Sequence, residues 1–315
     1  MRKIALLFSF FILNATCCIS QNAFKVIPLG VKGGLDESNL SAYLVAPAGS
    51  DDYICLDAGT IHSGIEKAIS NKLFAGDVQN VQKKNIKAYL VSHAHLDHVA
   101  GLILNSTEDT TKNIYGLPFT IDYLQKNYFN WKSWPNFGSD GEGTHLNKYQ
   151  YKFLVPGAVT KIEKTSMSAE AFPLTHANPY QSSAFLLKNN DNYILYFGDT
   201  GPDELEKSNR IETVWTKIAP LIKEKKLKAV FMEVSYPDEQ PDDQLYGHLT
   251  PKWMIKEFDA LAKLAGKDAL KDLKVIITHI KPIGNNEERI RKQLNEGNKH
   301  KLSFIFAEQG VLYNF

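Results

Sequence analysis

Within Ser92-His93-Ala94-His95-Leu96-Asp97-His98, four side chains able to bind a metal fall inside six residues. They follow the apolar run Ile86–Val91, so a turn leaving a strand can aim all four at one point. Imidazole nitrogens and carboxylates are the ligands that zinc and related divalent ions prefer. A lone histidine is ordinary in a core or on a surface, but that reading leaves this crowding without a purpose. Three later segments end apolar stretches in the same way: Leu174-Thr175-His176, Phe197-Gly198-Asp199-Thr200 and Ile277-Thr278-His279. Taken singly, each is a surface histidine or a turn-capping aspartate. Together they offer further donors. Glu233 closes another apolar run, and His248 sits in Gly247-His248-Leu249-Thr250-Pro251.

Short β-branched and aromatic runs alternate with helical patterns and must position these groups. Strands are expected at Phe24–Leu29, Leu40–Val45, Tyr53–Asp57, Ile86–Ser92, Ala184–Leu187, Tyr193–Phe197, Ala229–Val234, Val275–Thr278 and Ser303–Phe306. Helices are expected at Ser63–Leu73, Val99–Asn105, Ile211–Lys225, Pro251–Leu264 and Glu287–Asn295, with Pro251 behind a Thr250 cap. The stretch 110–156 is rich in aromatics and then glycines, and reads as an insertion beside the site. Its rings could stack a nucleobase, pair with a twin subunit in a homodimer, or simply pack locally. The chain shows no sequence repeat.

The chain has 315 residues, 36 basic against 35 acidic, 43% apolar and 23% charged. That is a globular composition, with no polybasic face for nucleic acid and no acidic tail. Residues 1–20 look like a secretory signal: Arg2 and Lys3, the apolar run Ile4 to Leu13, then small and polar residues to Ser20. The run is too short to span a bilayer, and no integral membrane segment is expected after its removal. A periplasmic or secreted protein is therefore expected. Lipid anchoring through Cys17 or Cys18 fits less well, because Asn14, Ala15 and Thr16 make a poor lipobox. After cleavage Cys55 is the sole cysteine, so residues 21–315 form one domain resting on its core, without a disulfide.

The pattern H-x-H-x-D-H, then His, Asp and His, resembles the metallo-β-lactamase superfamily across nearly the whole mature chain. The resemblance implies an α/β fold: an αββα sandwich of two mixed sheets flanked by helices. It implies two divalent metal ions, zinc first, with His93, His95 and His176 on one, Asp97, His98 and His279 on the other, and Asp199 bridging. Asp57 matches a supporting aspartate at an early strand end. Finer motifs resemble the class II 3′,5′-cyclic-nucleotide phosphodiesterases: His93 through Ser106, Gly33-Gly34 with Glu37 and Leu40–Leu44, Gly198–Asp203, Gly247–Pro251, and Thr278–Pro282. Thr107 departs from that family's signature, which ends there in Ala or Pro.

This resemblance implies a small-molecule cyclic nucleotide as substrate and a nucleoside 5′-monophosphate as product. A bridging hydroxide held by Asp97 and Asp199 would attack phosphorus. Glu233 and His248 resemble a pair in the superfamily's transfer-RNA 3′-end nucleases, which makes His248 the general acid and Glu233 its orienting base. A helix-capping surface role for His248 stays open. His62, His145 and His300 read as ordinary residues. A β-lactamase-type ester or amide hydrolase is the alternative, although common lactamases carry Cys where Asp199 stands. A non-catalytic metal-binding protein is the third reading, against which the full ligand set speaks.

Overall fold

The computed structural model describes residues 22–266 and 268–315, and the expected signal segment lies outside them. In chain order the strands are β1 (Phe24–Gly30), β2 (Ala42–Pro47), β3 (Tyr53–Leu56), β4 (Ile86–Leu90), β5 (Lys112–Gly116), β6 (Tyr149–Phe153), β7 (Val159–Lys161) and β8 (Ser168–Thr175). They continue with β9 (Gln181–Asn189), β10 (Asn192–Phe197), β11 (Leu227–Glu233), β12 (Lys274–Thr278), β13 (Ser303–Phe306) and β14 (Tyr313–Asn314). The α-helices are α1 (His62–Ser70), α2 (Val78–Asn85), α3 (Leu96–Asn105), α4 (Pro118–Tyr123), α5 (Asp203–Glu206), α6 (Arg210–Lys223), α7 (Pro251–Ala265) and α8 (Asn286–Gly297).

Two seven-stranded mixed sheets form, ordered β14-β1-β2-β3-β4-β5-β6 and β13-β12-β11-β10-β9-β8-β7. Every residue of β2 and β3 is buried, as strands covered on both faces require. Between the sheets lie Tyr43, Phe185, Tyr196, Phe231 and Phe315. Tyr43 and Phe231 meet edge to face at 5.6 Å. Behind the first sheet, Ile65, Val81 and Leu102 of α1, α2 and α3 pack on Tyr89 and Ile114. Behind the second, Trp215, Phe258 and Ile290 of α6, α7 and α8 pack on Phe197 and Val230. This is the expected helix–sheet–sheet–helix sandwich. No helix among the described residues is long and apolar enough to cross a membrane.

Although the sequence carries no repeat, strand pairing repeats. β1, β2 and β3 pair antiparallel, and β3 through β6 run parallel. β8, β9 and β10 pair antiparallel, and β10 through β13 run parallel.

The structure corrects several boundaries. β5 and β6 lie within 110–156, so that stretch is part of the first sheet, and only the segment between these strands stands as an excursion. β3 ends before Asp57, whose φ of 52° turns the chain out of the strand. α3 starts at Leu96 and not at Val99, which puts Asp97 and His98 on its first turn. There His95 is the extended N-cap, and the Asp97 charge suits the positive end of the helix. β5 to β8, β14 and the short helices α2, α4 and α5 are additions to the expected elements. α2 is capped by Asp77, which accepts from the Asn80 N–H at 2.7 Å.

Candidate metal centre

All the expected donors emerge at strand ends on one edge of the sandwich. His93 and His95 follow β4, and Asp97 and His98 open α3. His176 follows β8, Asp199 follows β10 and His279 follows β12. The first sheet thus meets the second at one point. Donor atoms of His93, His95, His176 and Asp199 lie within 4.8 Å of one another. Those of Asp97, His98 and His279 form a second such group, and Asp199 also joins His248 and His279. Asp199 Oδ2 lies 3.7 Å from His93 Nε2, 3.3 Å from His98 Nε2, 3.8 Å from His176 Nε2 and 3.1 Å from His279 Nε2. It stands between both groups.

The outer ring nitrogens show how these rings are held. Asp57 accepts from His98 Nδ1 at 2.8 Å, and the Gly247 carbonyl accepts from His176 Nδ1 at 2.8 Å. Ser92 Oγ lies 3.0 Å from His93 Nδ1, and Ser235 Oγ lies 2.9 Å from His279 Nδ1. Each contact fixes a tautomer that leaves the Nε2 lone pair facing inward. His95 is the exception. It turns Nδ1 toward His176, 3.2 Å away, and its ring stacks on Tyr180 at 4.4 Å and 13°. Tyr180 stacks in turn on Tyr123 at 5.3 Å.

Two donors test whether this set suits a metal. His93 Nε2 and His98 Nε2 are buried without a hydrogen-bond partner, the latter because Asp199 is near but misaligned. Buried polar atoms without partners are costly unless something else satisfies them. A divalent cation held between these rings and the carboxylates would satisfy both atoms.

The electrostatics agree. Burial alone would suppress charge on His98, but Asp199 and Asp57 outweigh it and raise its pKa well above the ordinary value. Burial pushes His176 down to about 4 despite the pull of Asp199, so it stays neutral as a ligand must. Burial also works against the Asp97 and Asp199 charges. The surrounding imidazoles nonetheless hold both carboxyls well below their usual range. The edge concentrates negative potential.

Glu233 and His248 lie beside this group. His248 Nδ1 contacts Glu233 Oε1 at 2.9 Å and stands 3.8 Å from Asp199 Oδ2. Glu233 also accepts from the Thr200 N–H at 3.1 Å and the Ser235 hydroxyl at 2.7 Å. The surface-cap reading of His248 fails, because the residue is buried and its ring is tied to a buried carboxylate. His62, His145 and His300 are in none of these groups. Two glycines of the sequence motifs have steric reasons. A Cβ on Gly33 would stand 2.4 Å from His279 Nδ1, and one on Gly247 would stand 2.1 Å from the Ala177 nitrogen.

A family profile described as "cAMP phosphodiesterases class-II" matches residues 22–310. The chain belongs to the class-II cAMP phosphodiesterase family. A 3′,5′-cyclic-nucleotide phosphodiesterase of Aliivibrio fischeri is 44% identical over 94% of each chain. Among solved structures, unliganded yeast PDE1 superposes with a TM-score of 0.81 at 25% identity, covering 94% of this chain and 100% of that one. The metallo-β-lactamase fold protein YhfI of Bacillus subtilis superposes at 0.62 and 18% identity, over 93% and 99% of the two chains. The class-II chain thus has the metallo-β-lactamase fold. Of the residues that build its site, Ser92, Ser235, Tyr196 and Tyr180 were not singled out from sequence. Ser92 and Ser235 neighbour a ligand and a strand-end glutamate, which was a usable signal. Tyr180 gave none.

Proposed function

We propose that the protein is an exported metallohydrolase that opens 3′,5′-cyclic nucleotides to nucleoside 5′-monophosphates. The Glu233–His248 pair beside the histidine–aspartate cluster carries this reading, because it places a proton donor where a phosphodiester would bind. His93, His95, His176 and Asp199 would hold one divalent ion, and Asp97, His98, His279 and Asp199 a second, with zinc the best match to the donors. Once bound, such ions bring the pKa of water toward neutrality and neutralise charge building on the phosphate.

The chain's own residues do the rest. Burial opposes a charge on His248, but Glu233 and Asp199 prevail and raise its pKa above the ordinary histidine value. Glu233 holds the ring through Nδ1 at 2.9 Å, which leaves Nε2–H to serve the substrate. A 3′ alkoxide is a poor leaving group, and a proton from His248 Nε2 lets the P–O3′ bond break. Asp97 and Asp199 orient the attacking water by holding its surroundings. Export is supported by the Arg2–Ser20 pattern. It favours a role on extracellular or periplasmic nucleotides, and N-terminal sequencing of the protein recovered outside the cytoplasm tests it.

The decisive experiment compares wild type with His248→Ala on cyclic AMP and counts bound metal. Turnover should fall about 100-fold or more, the scale of general acid catalysis, with metal content unchanged. Full activity in the variant removes His248 from the chemistry. Turnover of nitrocefin instead of cyclic AMP by wild type would favour the amide-hydrolase alternative.

A further inference from the structure

Next to His248 the surface opens into a cavity of about 380 Å³, walled by Pro202 and Leu205 on one side and Ala177, Tyr246 and Gly247 on the other. The first wall follows Asp199 and runs into α5, and the second joins the loop after β8 at Ala177 to the turn that carries His248. The cavity is within the size range of small-ligand sites. We propose that it is the nucleoside subsite, with the Tyr246 ring as the platform on which the purine base stacks. This rests on the phosphodiesterase reading above.

Three observations support it. The first is direction: a proton from His248 goes to O3′, so the ribose attached to that oxygen must lie on the His248 side of the phosphorus. This cavity is what lies there. The second is Tyr246 itself. It is 63% exposed, and its φ of 53° is a left-handed conformation that a bulky side chain adopts at a cost. The turn that imposes this strain is closed by the His248 N–H donating to the Leu245 carbonyl at 3.1 Å. The Gly247 carbonyl of the same turn holds His176 at 2.8 Å. Ring and proton donor therefore share one turn, which is also hydrogen-bonded to His176.

The third observation is charge. Glu206, Asp242 and Asp243 line the cavity against the single lysine Lys207, and Glu206 already accepts from the Asn178 N–H at 3.2 Å. Carboxylates repel the phosphate and accept from the exocyclic amino group of a base. The cavity thus selects the neutral end of the substrate.

The test uses Tyr246→Ala and Tyr246→Trp, with AMP and ribose 5-phosphate as inhibitors. Loss of one aromatic–base stack should raise the KM for cyclic AMP and the Ki of AMP about tenfold in the alanine variant. The tryptophan variant should restore both. The Ki of ribose 5-phosphate should not move. An unchanged KM in Tyr246→Ala, or equal weakening of AMP and ribose 5-phosphate, overturns the subsite. Calorimetry of AMP binding keeps the two ideas apart. If wild type binds AMP through Tyr246 yet leaves cyclic AMP intact, the subsite stands and the phosphodiesterase reading falls.

Discussion

Replacing Asp57 by Asn probes how the scaffold holds the centre, because its carboxylate is buried and collects four donors. Oδ1 accepts from the Ser92 N–H at 2.7 Å. Oδ2 accepts from the Ser92 hydroxyl at 2.7 Å, His98 Nδ1 at 2.8 Å and the Tyr196 hydroxyl at 2.6 Å. Tyr196 remains a donor, since burial and Asp57 raise its pKa well above the phenol value. An asparagine serves best with its oxygen at the Oδ2 position, which keeps three bonds as weaker neutral ones. Its NH2 then faces the Ser92 N–H, leaving a buried donor unpaired at about 1–3 kcal/mol. Weakening the three remaining bonds adds to this, and removal of a buried charge offsets part. The net loss should be about 2–4 kcal/mol, within the margin of a typical domain. His98 also loses the carboxylate that makes it a better ligand, which should weaken metal binding about 10- to 100-fold. Urea unfolding of the metal-free protein reads the first effect, and competition with a chromogenic chelator reads the second. If Asp57→Asn matches wild type in both, the account of Asp57 as the anchor of Ser92 and His98 is wrong.

Tyr180→Leu should lower metal affinity about three- to tenfold, the worth of one aromatic stack, because the only ring hydrogen bond of His95 is to His176 within the donor cluster. Tyr180→Phe should bind metal normally, and a leucine variant that does so too would show that stacking does not hold His95. A different prediction concerns pH. Burial pushes Glu257 up to about 7, although it accepts from the Asp203 N–H at 3.0 Å. Folded protein then binds a proton that unfolded protein releases between about pH 4.3 and 7, so this group costs stability as pH rises through that window. Glu257→Gln should be about 3–4 kcal/mol more stable than wild type at pH 8 and equal to it at pH 4. Equal unfolding midpoints at pH 8 would contradict the sign.

The site was legible in the sequence because its donors are few, strongly typed, and placed where apolar runs stop. The missed elements hide their burial. β8 carries Glu170 on a buried position, acceptable there only because Lys217 reaches it at 2.8 Å. α2 shows little beyond Val78 and Val81 to the core and otherwise reads as a polar loop. β5 and β6 are bound into the sheet partly through a buried knot. Asp109 accepts from Tyr89 at 2.7 Å and Tyr149 at 2.9 Å, so Tyr149, inside the stretch that reads as an insertion, points inward. Such partners meet only in three dimensions. The stack of Tyr180 on His95 is of the same kind, since neither spacing nor periodicity joins two residues on different sheets.

The division of labour between the sheets bears on why the centre needs the whole sandwich. His93 and His95 come from the first sheet and meet His176 and Asp199 from the second. Asp97 and His98 likewise meet His279 and Asp199. Asp199, His248 and His279 group within the second sheet alone, but each of the two groups that include first-sheet donors is complete only after the two halves have packed. Any ion that binds there must then bind the native state over the unfolded one and add its binding free energy to the sandwich. Glu233 and His248 are arranged differently, since both belong to the second sheet and its following loop. The proposed acid would thus be oriented within one half, and the proposed metal groups would depend on both. Divalent ions bound at this seam would reverse its negative potential, so that a chain nearly neutral overall could hold a small anion at one edge.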